Sequence, residues 1–292
     1  MAQKIIISCD TTIAFSKEEI DSYQLNVIPL NAIVDNVEYH DSVNIDTLQL
    51  CKMMRNQSKV TTSTPTIIEI EKYFNQLFEK TQADVIIHFT ISSKLSSMFS
   101  LFTNICKEKY GDKVKVVDSL SLCQWMANQV LYACELTKVF NDPDKIIETV
   151  QKDLLHSESC VFVPESIEYL KRGGRVSKPI ARIANLIGVL PILCFENGEV
   201  GKKGLTRTMQ KAFINAINEW KEKIKDLKEN YDFIVVYADK FTIEQENKIK
   251  SLIDDYAPNM NYMVKRLSLN VTAHAGPGTI GLGIIKKVPN VN

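Results

Sequence analysis

Two clusters of hydroxyl side chains stand where a strand pattern gives way to a helix pattern. Residues 61–66 read TTSTPT before one predicted helix, and residues 92–97 read SSKLSS after the apolar strand DVIIHFT. Helix amino ends carry unpaired N–H groups and positive dipole ends, so they attract anions. Loops at the carboxyl ends of parallel strands meet in one crevice. The two clusters together therefore predict an anion site that needs no lysine or arginine.

The same residues have a simpler interpretation, because serine and threonine are favoured N-cap residues of helices. Thr64 stands before Pro65, and proline is favoured at the first position of a helix. Thr64 and Ser96 would then only begin their helices. At this point the anion site and the plain caps are equally open.

Two later segments place glycine beside charged or titratable side chains. Residues 167–177 read IEYLKRGGRVS, and a double glycine after a helix is typical of a C-cap. Residues 273–281 read AHAGPGTIG, which predicts a tight loop where the backbone closely approaches a neighbour. The histidine of this loop, His274, has either a structural or a functional role.

Charge and motif content argue against several classes of protein. Lysine plus arginine and aspartate plus glutamate number 35 each, so the formal charge is zero and no basic surface for nucleic acid is predicted. The first strand ends in Cys-Asp-Thr-Thr and not in GxGxxG, and no GxxxxGK[ST], GxSxG or HExxH occurs. We therefore expect no nucleotide cofactor and no metal ion.

Cysteine usage and hydropathy predict a location. The seven cysteines include no CxxC pair, which argues against a disulfide framework and a zinc site. The amino end MAQKIIISCD does not resemble a signal peptide. No apolar run approaches the roughly 20 residues of a membrane span. These features predict a cytoplasmic protein with at most transient membrane contact.

The order of elements predicts an α/β fold in two domains. In residues 1–156, strands such as 4–9 and 84–90 alternate with helices, which favours a parallel sheet covered on both faces. From 157 to 292 the Asn-Gly turn of 196–199 predicts a hairpin, and later strands predict a mixed sheet. A single strand at 32–37 and a helix that begins at Thr64-Pro65 are further expectations.

The four segments, in this order and spacing, resemble the DegV family. Residues 62–66 (TSTPT) are similar to its T-S-Q-P-S, and residues 92–97 (SSKLSS) to its S-S-G-L-S-G. The segments LKRGGRVS and HAGPGTIG are similar to L-K-x-G-G-R-I-S and H-x-G-x-G-x-x-G. Asp10-Thr11 at the end of the first strand is similar to D-S. The resemblance covers essentially the whole chain.

This resemblance implies a function and a set of site residues. DegV proteins bind one long-chain fatty acid, such as palmitate, between a three-layer α/β/α domain and a two-layer α/β domain. Many bacterial members present its carboxylate to a separate, ATP-dependent kinase subunit and have no catalytic activity of their own. Carried over, Thr62 and Ser96 would bind the carboxylate with Ser93 and Ser63 close by. His274 would lie near the head group, and Arg175 and Arg207 would face the kinase.

The sequence departs from the family pattern at three positions. Lys94 and Ser97 replace glycines of S-S-G-L-S-G, and Thr64 replaces glutamine. A left-handed backbone at Lys94 would be strained. Its charge would otherwise add to the head-group site or to the surface that faces the partner.

Two other functions remain open at this stage. The first is a stand-alone hydrolase or phosphotransferase in which Ser96 or Ser93 acts with His274 and Asp10. The second is a carrier of another ligand, such as a sterol or an isoprenoid acid. The candidate walls of a lipid tunnel are Met98, Phe99 and Phe102 behind Ser96, together with the apolar segments 179–187 and 189–193.

Overall fold

The structure is a computed structural model that describes residues 3–175, 189–289 and 291. The strands are β1 (Ile5–Asp10), β2 (Asn26–Ile28), β3 (Asn31–Val34), β4 (Val37–His40), β5 (Val60–Ser63), β6 (Val85–Thr90), β7 (Val114–Asp118), β8 (Ser159–Val163), β9 (Leu190–Glu196), β10 (Glu199–Thr206), β11 (Tyr231–Tyr237), β12 (Tyr262–Arg266) and β13 (Ile280–Lys286). The helices are α1 (Lys17–Ser22), α2 (Thr47–Arg55), α3 (Ile67–Thr81), α4 (Met98–Tyr110), α5 (Cys123–Leu136), α6 (Pro143–Leu154), α7 (Glu168–Gly173), α8 (Met209–Lys223), α9 (Leu227–Asn230), α10 (Ile243–Tyr256) and α11 (Leu269–Ala275).

The first sheet is parallel and has the strand order β2-β1-β6-β7. Its inner strands β1 and β6 are near-continuous apolar runs, as expected of strands that are buried on both faces. Phe74 of α3 and Phe102 of α4 pack in the core on one face, and Met126 of α5 and Ile146 of α6 pack on the other. Helices on both faces give the predicted three layers.

The second sheet is mixed and has the strand order β10-β9-β8-β13-β11-β12. Only β11 and β12 are parallel, and the other neighbours are antiparallel. Phe213 of α8 and Ile253 of α10 cover one face. Phe162 and Val236 on the opposite face belong to one core with residues of the first sheet's helices. The α/β class with a parallel and a mixed sheet is confirmed, whereas the boundary at 156/157 stays a prediction.

A third, small antiparallel sheet has the order β4-β3-β5 and was not predicted. The single strand expected at 32–37 is wrong, because Asp35 and Asn36 both have positive φ angles and form a tight turn between β3 and β4. Residues 61–63 were interpreted as a loop before a helix. They form most of β5, so Thr62 and Ser63 are held by pairing with β3.

The helix starts near the two hydroxyl clusters also differ from the sequence expectation. Helix α3 begins after Thr66, whose side chain forms a capping box with Glu69, so the cap lies two residues beyond Thr64. Helix α4 begins after Ser97. Thr64 and Ser96 are therefore not the N-caps of these helices, and the simplest interpretation of both residues is wrong.

Two other local predictions, a capping box and a hairpin turn, agree with the structure. Ser16 and Glu19 form the expected capping box of α1. Asn197 and Gly198 both have positive φ angles, as a type I′ hairpin turn requires. No helix among the described residues is long and apolar enough to cross a membrane. The described residues also contain no group of three or more histidine, cysteine, aspartate or glutamate side chains placed to hold a metal ion.

Candidate functional site

A cavity of about 360 Å³ lies between the carboxyl end of the parallel sheet and the mixed sheet. This volume falls in the range of small-molecule sites. Its described wall consists of Leu30, Thr62, Ser63, Thr64, Ile91, Leu95, Ser96, Ser97, Met98, Leu122, Trp125, Cys160, Phe162, Leu170, Arg175, Phe195, Val200, Val236, Leu267, Asn270, Val271, His274, Ala275 and Thr279.

Polar groups in this wall come from several places in the fold. Strand β5 supplies Thr62 and Ser63, the loop before α4 supplies Ser96, and α11 supplies His274. Arg175 follows α7. Much of the remaining wall is aliphatic or aromatic. The cavity thus combines an apolar interior with hydroxyl, imidazole and guanidinium groups.

Thr62 and His274 are in direct contact although 212 residues separate them, with 2.8 Å between Thr62 Oγ1 and His274 Nε2. The imidazole is partly buried. Burial, and secondarily the nearby charge of Arg175, lowers the pKa of His274 to about 4. The imidazole is therefore neutral near pH 7 and can either donate to or accept from a neighbouring oxygen.

The double glycine of LKRGGR serves two purposes. A Cβ atom on Gly173 would lie 2.1 Å from His274 Nδ1, so only glycine leaves room for the imidazole in its observed position. Gly174 is the C-cap of α7 and has a φ angle of +68°, a conformation that favours glycine. The predicted C-cap is confirmed at Gly174. The absence of a side chain at Gly173 allows the imidazole of His274 to occupy its observed position.

The loop that carries Ser96 is held by hydrogen bonds from its own backbone and from the hairpin of β9 and β10. The carbonyl oxygen of Ser92 accepts from the N–H groups of Leu95 and Ser96 at 3.0 and 3.1 Å. The Ser92 hydroxyl donates to the carbonyl oxygen of Gly198 at 2.6 Å. Ser96 Oγ accepts from the N–H of Met98 at 3.3 Å and keeps further capacity for a ligand.

Lys94 occupies its position without the left-handed backbone that would have caused strain. Its ammonium group donates to the carbonyl oxygen of Asn197 at 2.9 Å and lies 4.0 Å from the carboxylate of Glu199. The lysine thus ties the loop to the hairpin. It does not line the described part of the cavity.

Three predicted residues lie toward the solvent. Ser93 is exposed and outside the described cavity wall, and its N–H donates to the Asp118 carboxylate at 3.0 Å. Arg207 is also exposed, in the turn after β10. Arg175 is exposed but does line the cavity, and its guanidinium donates to the carbonyl oxygens of Leu95 and Gly173.

Asp10 is fully buried at the end of β1, and its carboxylate is hydrogen-bonded to backbone N–H groups. Its two carboxylate oxygens accept from the N–H groups of Thr12 and Ile91 at 2.8 and 3.0 Å. Burial raises the pKa of Asp10 above its usual value. Among the described residues Asp10 has no hydrogen bond to His274, so it does not orient the imidazole as a catalytic triad would require.

Sequence reasoning found part of the apolar wall. Met98 lines the cavity, whereas Phe99, Phe102 and residues 189–193 do not, and 179–187 lies outside the described residues. Trp125, Phe162 and Phe195 were missed because they come from α5, β8 and β9, which are adjacent only in the folded chain. The inward position of Phe162 follows from the alternation of side chains along a strand, once the buried face is known.

A model of a known protein family matches nearly the whole sequence. The model of the DegV family of uncharacterised proteins matches residues 4–287. The chain belongs to the DegV family. A DegV domain-containing protein of Staphylococcus aureus is 27% identical over 288 residues, which cover 98% of this chain and 100% of that protein. A DegV domain-containing protein of Mycoplasmopsis pulmonis is 26% identical and covers 97% of this chain and 95% of its own length.

Solved DegV structures share the fold. DegV of Bacillus subtilis, a fatty acid binding protein, matches with a TM-score of 0.82 and 25% identity over 98% of this chain and 100% of its own. A fatty acid binding DegV family protein of Streptococcus agalactiae matches with a TM-score of 0.84, 20% identity and the same coverage. These DegV relatives bind fatty acids.

Proposed function

We propose that this protein binds one long-chain fatty acid in the cavity and presents its carboxylate to a separate, ATP-dependent kinase subunit for conversion to an acyl phosphate. The observation that carries the proposal is the make-up of the cavity wall. It is apolar over most of the described surface, and it brings Thr62, Ser96 and His274 to the same space. The DegV proteins of known structure that bind fatty acids give independent support.

Burial of the acyl chain supplies most of the binding free energy. Each buried methylene contributes about 0.8 kcal/mol, so about fifteen would contribute on the order of 12 kcal/mol before the costs of association. The contacts to the head group can then be weak without loss of tight binding. Their role is to fix the position of the carboxylate.

The polar groups suit a carboxylate that must remain reactive. Thr62 and Ser96 are neutral donors, and His274 is neutral near pH 7 because burial lowers its pKa to about 4. Ser63 also lines the cavity, whereas Ser93 is outside its described wall. Neutral donors fix the carboxylate by hydrogen bonds and leave an oxygen free to attack a phosphoryl donor.

The kinase subunit would supply nucleotide and metal contacts, which phosphoryl transfer requires. Arg175 and Arg207 are exposed cationic side chains that could contact such a partner. Arg175 also lines the cavity, so it connects the ligand site with the surface. We propose that the partner contacts the surface around Arg175.

A stand-alone hydrolase is less well supported by the geometry. It would need a serine within hydrogen-bond reach of His274 and a carboxylate that orients the imidazole. Among the described residues, the hydroxyl that contacts His274 belongs to Thr62, and neither Ser93 nor Ser96 does so. Turnover of an ester or a phosphate ester by this chain alone, abolished by Ser96→Ala, would favour the enzyme.

The proposal is tested by identifying what the purified protein carries. We expect solvent extraction and mass spectrometry to recover close to one long-chain fatty acid per chain. Addition of a DegV-dependent fatty acid kinase with ATP should convert it to an acyl phosphate. Protein that is repeatedly empty and has no affinity for palmitate would contradict binding. A bound acid that no such kinase phosphorylates would contradict presentation alone.

A further inference from the structure

Asn270 occupies a position in the cavity wall that the proposed head-group site does not use. It lies on α11, four residues before His274, so both side chains are on the same face of the helix. Four residues of α-helix rise about 6 Å. Asn270 is therefore about one helical turn away from the imidazole, beside the apolar side chains of Leu267 and Val271.

The amide of Asn270 has no hydrogen-bond partner in the described part of the chain. Asn270 is 7% exposed, and both Oδ1 and Nδ2 are buried without a partner. Two other polar groups of the wall are satisfied, since the Thr279 hydroxyl donates to the carbonyl oxygen of Ala275 and the Trp125 indole donates to that of Ile284. Among the described residues, Asn270 alone is both in the cavity wall and without a partner for its buried side-chain polar atoms.

A buried amide without a partner destabilises the protein, because it loses its hydrogen bonds to water and gains none. Leucine has a similarly branched side chain and would avoid this cost among apolar neighbours. Buried polar groups that interrupt an apolar surface are frequent at functional sites. A ligand atom in the cavity would supply the missing partner.

We propose that the cavity accommodates a hydroxylated acyl chain, with the hydroxyl a few carbons from the carboxylate and hydrogen-bonded to Asn270. This inference rests on the proposed fatty-acid function and names the ligand class of the same site. A hydroxyl matches the amide because it can donate to Oδ1 and accept from Nδ2. A site with a buried polar group discriminates against a ligand that leaves the group unpaired.

The test compares palmitate with monohydroxy derivatives that carry the hydroxyl at carbon 3, 5, 7 or 16, by competition against a fluorescent fatty acid. We expect one of the derivatives hydroxylated near the head to bind about 10- to 100-fold more tightly than palmitate. The derivative hydroxylated at the far end serves as control, because its hydroxyl would lie away from Asn270. Equal affinity for palmitate and all derivatives would overturn the inference and leave a buried water as the partner of Asn270.

The variant Asn270→Leu assigns the preference to this side chain. We expect it to bind palmitate at least as tightly as the wild type and to lose the preference for the hydroxyl. A preference that survives in this variant would contradict the role of Asn270. If the variant does not fold, Asn270→Ala gives the same comparison. The comparison of palmitate with its hydroxy derivatives in the wild-type protein depends on neither variant. If the wild type binds neither palmitate nor any of the derivatives, the proposed function itself is contradicted.

Discussion

Two histidines of this protein make the same contact in different surroundings. His88 on β6 lies opposite Ser8 on β1, with 2.8 Å between its Nδ1 and Ser8 Oγ, and Ser8 Oγ is 2.7 Å from the Tyr73 hydroxyl. His274 has an equal distance from Nε2 to Thr62 Oγ1. Burial lowers the pKa of His88 to about 3 and that of His274 to about 4.

The two histidines differ in how accessible their rings are to solvent and to a ligand. His88 has no exposed surface, and its ring stacks on Phe102 with 4.7 Å between ring centroids and 5° between planes. His274 is partly buried and lines the cavity. A neutral imidazole that contacts a hydroxyl is therefore a core element in one place and a potential ligand group in the other. Substitutions at the two sites should therefore affect stability and ligand affinity differently.

The largest effect is expected for His88→Ala. The substitution removes a fully buried ring and leaves space beside Phe102, which we expect to lower the free energy of unfolding by about 3 kcal/mol. His274→Ala should cost about 1 kcal/mol or less, because its ring borders an existing cavity. Urea denaturation at pH 7 measures both values. Equal losses for the two variants would show that His274 is also a core element.

The pH dependence of stability isolates the burial of His88. Its pKa falls from 6.5 in the unfolded chain to about 3 in the folded one. The folded state resists protonation, so this contribution is complete above pH 6.5 and is lost as the pH falls toward 3. Each unit of pH below 6.5 costs about 1.4 kcal/mol.

Asp41 and Glu158 act in the opposite direction, since burial raises the pKa of each to about 7. His274 acts in the same direction as His88, because burial lowers its pKa to about 4. The effects of these other groups are removed by comparing the wild type with His88→Leu at each pH. We expect the stability of the wild type relative to this variant to fall by about 2 kcal/mol from pH 7 to pH 5. A constant difference would show that His88 titrates as an exposed histidine does.

Gly173→Ala should perturb the cavity histidine alone. The added Cβ would lie 2.1 Å from His274 Nδ1, so the imidazole must shift from the position in which it contacts Thr62. We expect fatty-acid affinity to fall about tenfold, which corresponds to 1.4 kcal/mol.

Gly174→Ala is the matched control for this change. Its Cβ would meet no atom within 4 Å, and the φ angle of +68° makes the cost one of backbone strain. We expect lower stability and unchanged affinity, measured by denaturation and by fatty-acid titration. An affinity loss in Gly174→Ala as large as in Gly173→Ala would refute the positioning of His274 by Gly173.

The smallest effect is expected for Lys94→Gly, which restores the glycine of the family pattern. The ion pair with Glu199 is solvent-exposed, and such pairs contribute about 1 kcal/mol at most. Fatty-acid affinity should not change, because Lys94 lies outside the described cavity wall. An affinity loss would instead indicate that the hydrogen bond between Lys94 and Asn197 holds Ser96 in place.

Local sequence patterns predicted the two large sheets well, but they missed the small third sheet and predicted the site only in part. Apolar runs identified β1 and β6, and Asn197-Gly198 identified the hairpin, because these features are encoded by neighbouring residues. The helix α11 was missed, since Asn270 and Thr272 favour helices weakly and the following glycines indicated a loop. Because His274 lies on that helix, its contact with Thr62 could not be inferred from the sequence.

The contact between Thr62 and His274 joins residues 212 positions apart, and no local pattern predicts it. The family resemblance placed both near a head group, which spacing alone could not do. Resemblance also placed Ser93 there, but Ser93 is exposed and outside the described cavity wall. Asn270 was not singled out, because a buried amide without a partner is recognised only from the folded surroundings.

The central claim is that hydroxyl groups in the cavity bind the carboxylate of a fatty acid. The most direct measurement is the affinity for palmitate of Thr62→Val and Ser96→Ala, with Ser93→Ala as the control outside the described cavity wall. We expect each of the first two substitutions to weaken binding by about 1 to 3 kcal/mol, and the control to leave it unchanged. Wild-type affinity in both cavity variants, or an equal loss in the control, would contradict the account.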